Sequence, residues 1–172
     1  MERLGLKPGY VVVTVHRAEN VDDSRRLSKI TYLIEELAAR ENIVFPVHPR
    51  TKRRLSETGL LDRLTKRVVL TEPLGYLDFV KLLIHCSAIV TDSGGVQREA
   101  YLLRPAIVLG KTTEWVELVE CGWVKLLDPD EEVSRGVSGW RHSAYVEGLL
   151  GDGRAPERIA QIIAEEILLW NA

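Results

Sequence analysis

The chain has 172 residues, 45% of them hydrophobic, which is enough for a single domain with one sizeable core. Its 23 basic and 25 acidic residues leave a formal net charge of -2. That balance argues against a nucleic-acid or membrane-surface binder, since either carries a marked basic excess on one face.

Apolar runs and helical patterns alternate along the chain. Tyr10 to Val15 reads as a buried strand. Asp23 or Ser24 can cap a helix whose apolar positions Leu27, Ile30, Leu33, Ile34 and Leu37 recur at i, i+3, i+4 and i+7. Ile43 to Val47 is a second strand, and the segment HPRT after it opens a short basic helix. Val68 to Leu70 is a third strand. Tyr76 to His85 is helical, with Leu77, Val80, Leu83 and Ile84 on one side. Strand Ala88 to Thr91, helix Val96 to Leu103, strand Ala106 to Leu109, helix Glu114 to Glu120 and strand Val124 to Leu127 follow in turn. A last helix has Pro156 in its first turn and runs to about Leu169. The Gly-rich stretch from Gly136 to Gly153 is the one place open enough for a mobile excursion.

Short strands alternating with helices predict an α/β fold, a three-layer, Rossmann-like, doubly wound parallel sheet with right-handed crossovers. Cys86 and Cys121 lie in apolar surroundings, and neither count nor spacing makes a disulfide framework or a metal site. They read as buried free thiols of a reducing cytosol. No signal-peptide pattern opens the chain and no apolar run approaches the roughly 18 residues that span a bilayer, so a cytoplasmic protein with no membrane partner is expected.

Ligands of such sheets bind outside the carboxyl ends of the strands. The turns to weigh are therefore HRAEN, HPRT, EPLGY, DSGG and GKTTE, each of which taken singly is an ordinary connecting turn. Ser93-Gly94-Gly95 says most. Two glycines let the backbone approach an anion, the following helix offers free N–H groups, and the serine adds a donor. The plainer alternative is a turn that needs glycine's freedom. The turn is neither a Walker loop nor GxGxxG. Glu99, one helical turn on, suits a ribose diol rather than a phosphate. Arg17 can fork onto phosphate, and His16 can donate to it or exchange a proton near neutral pH, although a His-Arg pair after a strand is as a rule structural. His48 carries the same two readings. Tyr76 and Phe79, at i and i+3, are core residues or a base-stacking pair.

The segments VTVHRAENVDD, FPVHPRT, TEPLGYLDFVKLL, IVTDSGGVQREA and LGKTTEWVELVECGWVKLL occur in one order from about Tyr10 to Asp130. In them the chain resembles the C-terminal half of the non-hydrolysing UDP-N-acetylglucosamine 2-epimerases. That resemblance implies one of the two domains of a GT-B-type fold, with residues 1–172 as the nucleotide-sugar-binding domain and the N-terminal domain absent. It implies an isomerase that interconverts UDP-N-acetylglucosamine and UDP-N-acetylmannosamine by eliminating and re-adding UDP, with no cofactor and no metal. Carried over, Ser93, Gly94 and Gly95 hold the diphosphate, Glu99 the ribose, and Phe79 lies against the uracil. His16 becomes the catalytic histidine and Arg17 and Glu19 bind substrate. His48, Tyr76 and Lys111 are secondary candidates.

Two departures stand out. Ala18 occupies the place of a second arginine in the motif HRREN, and Trp115 the place of an arginine in TTERPE. Lys111 is the candidate to make good the second loss. The family's acid and base carboxylates lie in the half not present, so turnover is expected to need a separate N-terminal-domain chain or the rest of a longer protein from which this sequence was cut. A homodimer is the expected assembly. The alternative is a non-catalytic UDP-sugar-binding or regulatory module.

Overall fold

The computed structural model describes residues 6–131 and 142–170. Six strands form one parallel sheet: β1 (Val11–Thr14), β2 (Ile43–Pro46), β3 (Val69–Thr71), β4 (Ala88–Thr91), β5 (Ala106–Leu109) and β6 (Val124–Leu127). Their order is β3-β2-β1-β4-β5-β6. β1 therefore has β2 on one side and β4 on the other, and the winding reverses between β1 and β4. The helices are α1 (Ala18–Val21), α2 (Ser24–Ala38), α3 (Pro49–Glu57), α4 (Leu61–Thr65), α5 (Tyr76–His85), α6 (Gly94–Leu103), α7 (Val116–Glu120) and α8 (Ala155–Trp170).

Period-two alternation sends the strand side chains to two separate cores. Val11, Val13 and Val15 pack with Ile43 and Phe45 beneath Leu27, Ile30, Leu33 and Ile34 of α2, with Leu55 of α3 and Leu64 of α4 beside them. Tyr10 and Val12 face the other way, with Val44 and Ile89, onto Leu82 and Leu83 of α5, Ala100 and Tyr101 of α6, and Leu118 of α7. Both faces of the sheet are thus covered, which is why its strands are apolar runs rather than alternating ones. Tyr10 closes this second core with its hydroxyl, which donates to Leu82 O at 2.9 Å. Burial pushes that phenol up to about 12.

The predicted strands and long helices occur within a residue or two of their expected limits, but three details differ. On α5 the buried stripe is Phe79, Leu82, Leu83 and Cys86, while Leu77 and Ile84 are 81% and 42% exposed. Apolar residues lie on more than one side of that helix, so its periodicity admitted two stripes, and the sheet selected the one that faces it. Cys86 is buried as expected, and burial pushes its thiol up to about 11. Cys121 is only half-buried, because it caps the end of α7 at the rim of the core. Of the Gly-rich stretch, residues 136–141 lie outside the described residues. Its later part is docked: Tyr145 stacks on Tyr101 at 4.9 Å, and Ser143 N donates to Gly122 O at 3.1 Å.

Candidate functional site

The winding reverses between β1 and β4, so the chain leaving each strand diverges and opens a crevice at their carboxyl ends. Asp92, the first residue after β4, holds the two exits together. Its carboxylate is buried and accepts the backbone N–H of His16 at 3.0 Å and of Arg17 at 2.9 Å. The Asn20 side-chain amide also donates to it at 3.0 Å. Burial pushes this carboxyl up, but the hydrogen bonds from His16, Asn20 and Arg17 outweigh it and hold the group below its ordinary value. His16 turns its Nδ1 to within 3.3 Å of Asp92 Oδ1. The Asp92 carboxylate raises the imidazole's pKa, against burial and the Arg17 guanidinium, which lower it.

Across the crevice, α6 begins at Gly94. Ser93 is its N-cap: the hydroxyl accepts Val96 N–H at 3.4 Å, and Ser93 N donates to Thr91 Oγ1 at 3.0 Å. The first-turn N–H groups of α6 face the crevice entrance, the favourable end of the helix for an anion. Gly94 is needed there for space. A Cβ on it would lie 3.3 Å from Glu114 Oε2, 3.6 Å from Arg17 Nη2 and 3.6 Å from Trp115 Nε1. A carboxylate, a guanidinium and an indole N–H therefore converge on the start of α6. Arg17 Nη2 donates to Glu114 Oε1 at 2.5 Å, and Arg98 lies over the Trp115 ring at 4.8 Å. Glu114 is held below the ordinary carboxylate value by its own backbone N–H and then by Arg17.

The floor and far wall of the crevice come from the turns after β2 and β3. An open cleft of about 190 Å³ is lined by His16, His48, Leu74, Phe79, Ser93 and Val96 among others. His48 is there because Pro49 starts α3 and keeps the residue before it extended, at φ -61 and ψ 142. Its Nδ1 accepts Arg50 N–H at 3.2 Å, and its ring lies 5.7 Å from that of His16.

The fold thus brings His16, His48, Phe79 and Ser93 to one cleft, with Arg17, Gly94 and Gly95 at its mouth. The other candidates do not line it. Glu19 is exposed on α1, and Tyr76 is 67% exposed at the start of α5. Glu99 is half-buried on α6, where burial pushes its carboxyl up against the pull of Arg98. Lys111 places its Nζ 3.2 Å from Asp128 Oδ2, with its side chain 71% exposed. Two residues that shape the site, Asp92 and Glu114, were not candidates from sequence. The signal for Asp92 was its place directly after a strand in DSGG, where an acid meets the N–H groups of the neighbouring turn. Glu114 gave no signal, because its partner Arg17 is 97 residues away.

Comparison with known proteins bears on this geometry. The model of the family UDP-N-acetylglucosamine 2-epimerase matches residues 2–164. The UDP-N-acetylglucosamine 2-epimerase of Methanocaldococcus jannaschii is 40% identical, over 90% of this chain and 44% of its own length. The UDP-2,3-diacetamido-2,3-dideoxy-D-glucuronate 2-epimerase of Pseudomonas aeruginosa is 36% identical, over 94% of this chain and 46% of its own. The chain therefore spans a little under half the length of these relatives. The crystal structure of the Methanocaldococcus jannaschii enzyme in complex with UDP-GlcNAc and UDP superposes with a TM-score of 0.85 and 38% identity, covering 94% of this chain and 46% of that one.

Proposed function

The chain belongs to the UDP-N-acetylglucosamine 2-epimerase family, and from that premise we propose that it is the UDP-binding half of an enzyme interconverting UDP-N-acetylglucosamine and UDP-N-acetylmannosamine. The observation that carries this reading is the convergence of Ser93, the glycines of α6, His16 and Arg17 at the switch point of the sheet. N–H groups fixed in advance, with a histidine and an arginine beside them, suit a diphosphate that must leave and be held for return. In this reading Ser93, Gly94, Gly95 and Arg17 hold the diphosphate, Phe79 lies against the uracil, and Glu99 takes the ribose. His16 is the catalytic histidine. Turnover in this reading needs the other half of the family's length, which this sequence does not span. Lys111 is assigned no part, since Asp128 already holds it.

The test is proton NMR of the purified chain with UDP-N-acetylglucosamine in heavy water, alone and after mixing with an N-terminal-half chain. Line broadening alone, followed by deuterium at C2 and new N-acetylmannosamine signals on mixing, is the expected result. Sharp, unperturbed ligand lines would refute the reading. A second reading, a UDP-sugar-binding module without turnover, is favoured by Trp115 in the place of an arginine and by the engagement of Arg17 with Glu114. Binding that never leads to exchange, whatever half is added, would select it.

A further inference from the structure

The two histidines of the cleft are held by opposite demands. His16 Nδ1 lies 3.3 Å from a carboxylate oxygen of Asp92, which can only accept. A bare nitrogen facing that oxygen would set lone pair against lone pair, so Nδ1 carries the proton. His48 Nδ1 does the reverse: it accepts the Arg50 N–H at 3.2 Å as the N-cap of the nine-residue α3. A nitrogen that accepts carries no proton, so neutral His48 keeps its proton on Nε2. The rings lie 5.7 Å apart, tilted by 35°, and both line the cleft.

We propose that the fold presets His16 and His48 in opposite neutral tautomers, so that the cleft offers its ligand one bare ring nitrogen, Nε2 of His16, and one donor, Nε2–H of His48. Asp92 and the Arg50 backbone N–H are the positioning groups that set this division. The inference rests on the diphosphate-sugar reading of the cleft and adds what each ring does there. An ionised diphosphate only accepts, and the His48 donor suits it as it stands. Protonating His48 on Nδ1 would remove the cap of α3. The bare Nε2 of His16 repels a phosphate oxygen until it takes a proton from solvent, forming one N–H bond and breaking none in the ligand.

The charged and titratable groups around His16 are Asp92, which favours its protonation, Arg17, which opposes it, and His48. A bound diphosphate adds negative charge to the side of Asp92. Binding above the free-state titration of His16 therefore takes up a proton, and affinity falls as pH rises through that range.

The experiment is long-range proton–nitrogen NMR of the ring-labelled, ligand-free chain at a pH above the His16 titration, where each imidazole nitrogen reports directly whether it is bare or protonated. The expected pattern is Nδ1–H with bare Nε2 for His16, and the reverse for His48. The same tautomer in both rings, or Nε2–H on His16, overturns the proposal. Asp92→Asn is expected to let His16 drift toward Nε2–H. Should that variant fail to fold, His48→Asn keeps an N-cap acceptor for α3 and is expected to leave the His16 ring signals in place. Adding UDP then separates the two claims. Binding with His16 Nε2 moving to the protonated position, and proton uptake in calorimetry across two buffers, supports the assigned roles. Binding without uptake refutes the role given to His16. No binding refutes the reading of the cleft while the tautomer pattern is judged on the free chain.

Discussion

At Gly94 the limit is distance and not backbone strain, since its φ is not among the positive ones. A methyl group there would press on the Glu114 carboxylate at 3.3 Å and lie 3.6 Å from Arg17 Nη2. Gly94→Ala is therefore expected to keep the fold, with a thermal midpoint close to the parent, and to lose most UDP affinity in titration calorimetry. Glu114 is a different matter. Its carboxylate holds Arg17 where a phosphate oxygen would otherwise be met, and an exposed ion pair of this kind is worth under about 1 kcal/mol. Glu114→Gln should free Arg17 and remove a repelling charge, tightening UDP by roughly two- to fivefold. Weaker binding in that variant would show that Glu114 supports the site. The Asp92–His16 pair also sets a pH window. Asp92 has its pKa depressed on folding, so its contribution is present above the unfolded value of about 4 and is lost as pH falls through the folded one. His16 has its pKa raised, so its contribution is present below about 6.5 and is lost as pH rises through the folded value. Melting temperature against pH should fall on both sides of that window, and His16→Asn should flatten the alkaline fall alone.

Between elements, the carboxyl edge of the sheet is laced by one side chain. Arg26 of α2 donates to Asn20 Oδ1 at 2.7 Å, to Asp128 at 3.1 Å and to Asp130 at 2.6 Å. Asn20 passes the connection on to Asp92 and to Leu109 O, so α1, α2, β4, β5 and β6 share one polar network. Arg26 is 13% exposed and Asp128 5%. Removing the cation leaves the mostly buried Asp128 carboxylate with Lys111 as its remaining cation, which costs roughly 2–3 kcal/mol. Arg26→Ala should lower the thermal midpoint by on the order of 10 °C at this chain length, and weaken UDP as the Asn20 turn loosens. An unchanged midpoint would mean that the network carries no stability. Little of that lacing was legible beforehand. Strands and long helices announce themselves through period-two and period-3.6 patterns within ten or fifteen residues, as α2 does from Leu27 to Leu37. Helices α1 and α4 are four and five residues long, too short to show any period. The strand-end turns HRAEN, HPRT and DSGG could be marked as a site because the doubly wound topology itself says where ligands lie. Which of their side chains face the ligand and which face one another depends on partners some 70 to 100 residues away, such as Asp92 for His16 and Asp128 for Arg26.

Among the described residues of the whole molecule, the two cores account for every helix except the last. On α8 no described side chain is buried, and Ile159, Ile162, Ile163 and Ile167 stand between 53% and 58% exposed at spacings of three and four residues. Such a stripe, with Arg158 and Glu165 beside it, has the pattern of a helix-pairing seam, and a helix facing its own copy across a two-fold axis satisfies it with no other partner. Pairing of two copies through that face is a prediction to be tested. One helix offers less than the roughly 800 Å² per partner of a standard interface, so association in the micromolar range is expected rather than a permanent dimer. Light scattering across a concentration series should show mass rising toward two copies. Ile162→Glu combined with Ile163→Glu should hold the chain monomeric and leave unchanged the UDP binding proposed for the turns after β1 and β4. A parent chain that remains a monodisperse monomer at all concentrations would refute the pairing and leave the stripe to a different protein surface. Loss of UDP affinity in the double variant would instead tie α8 to the cleft.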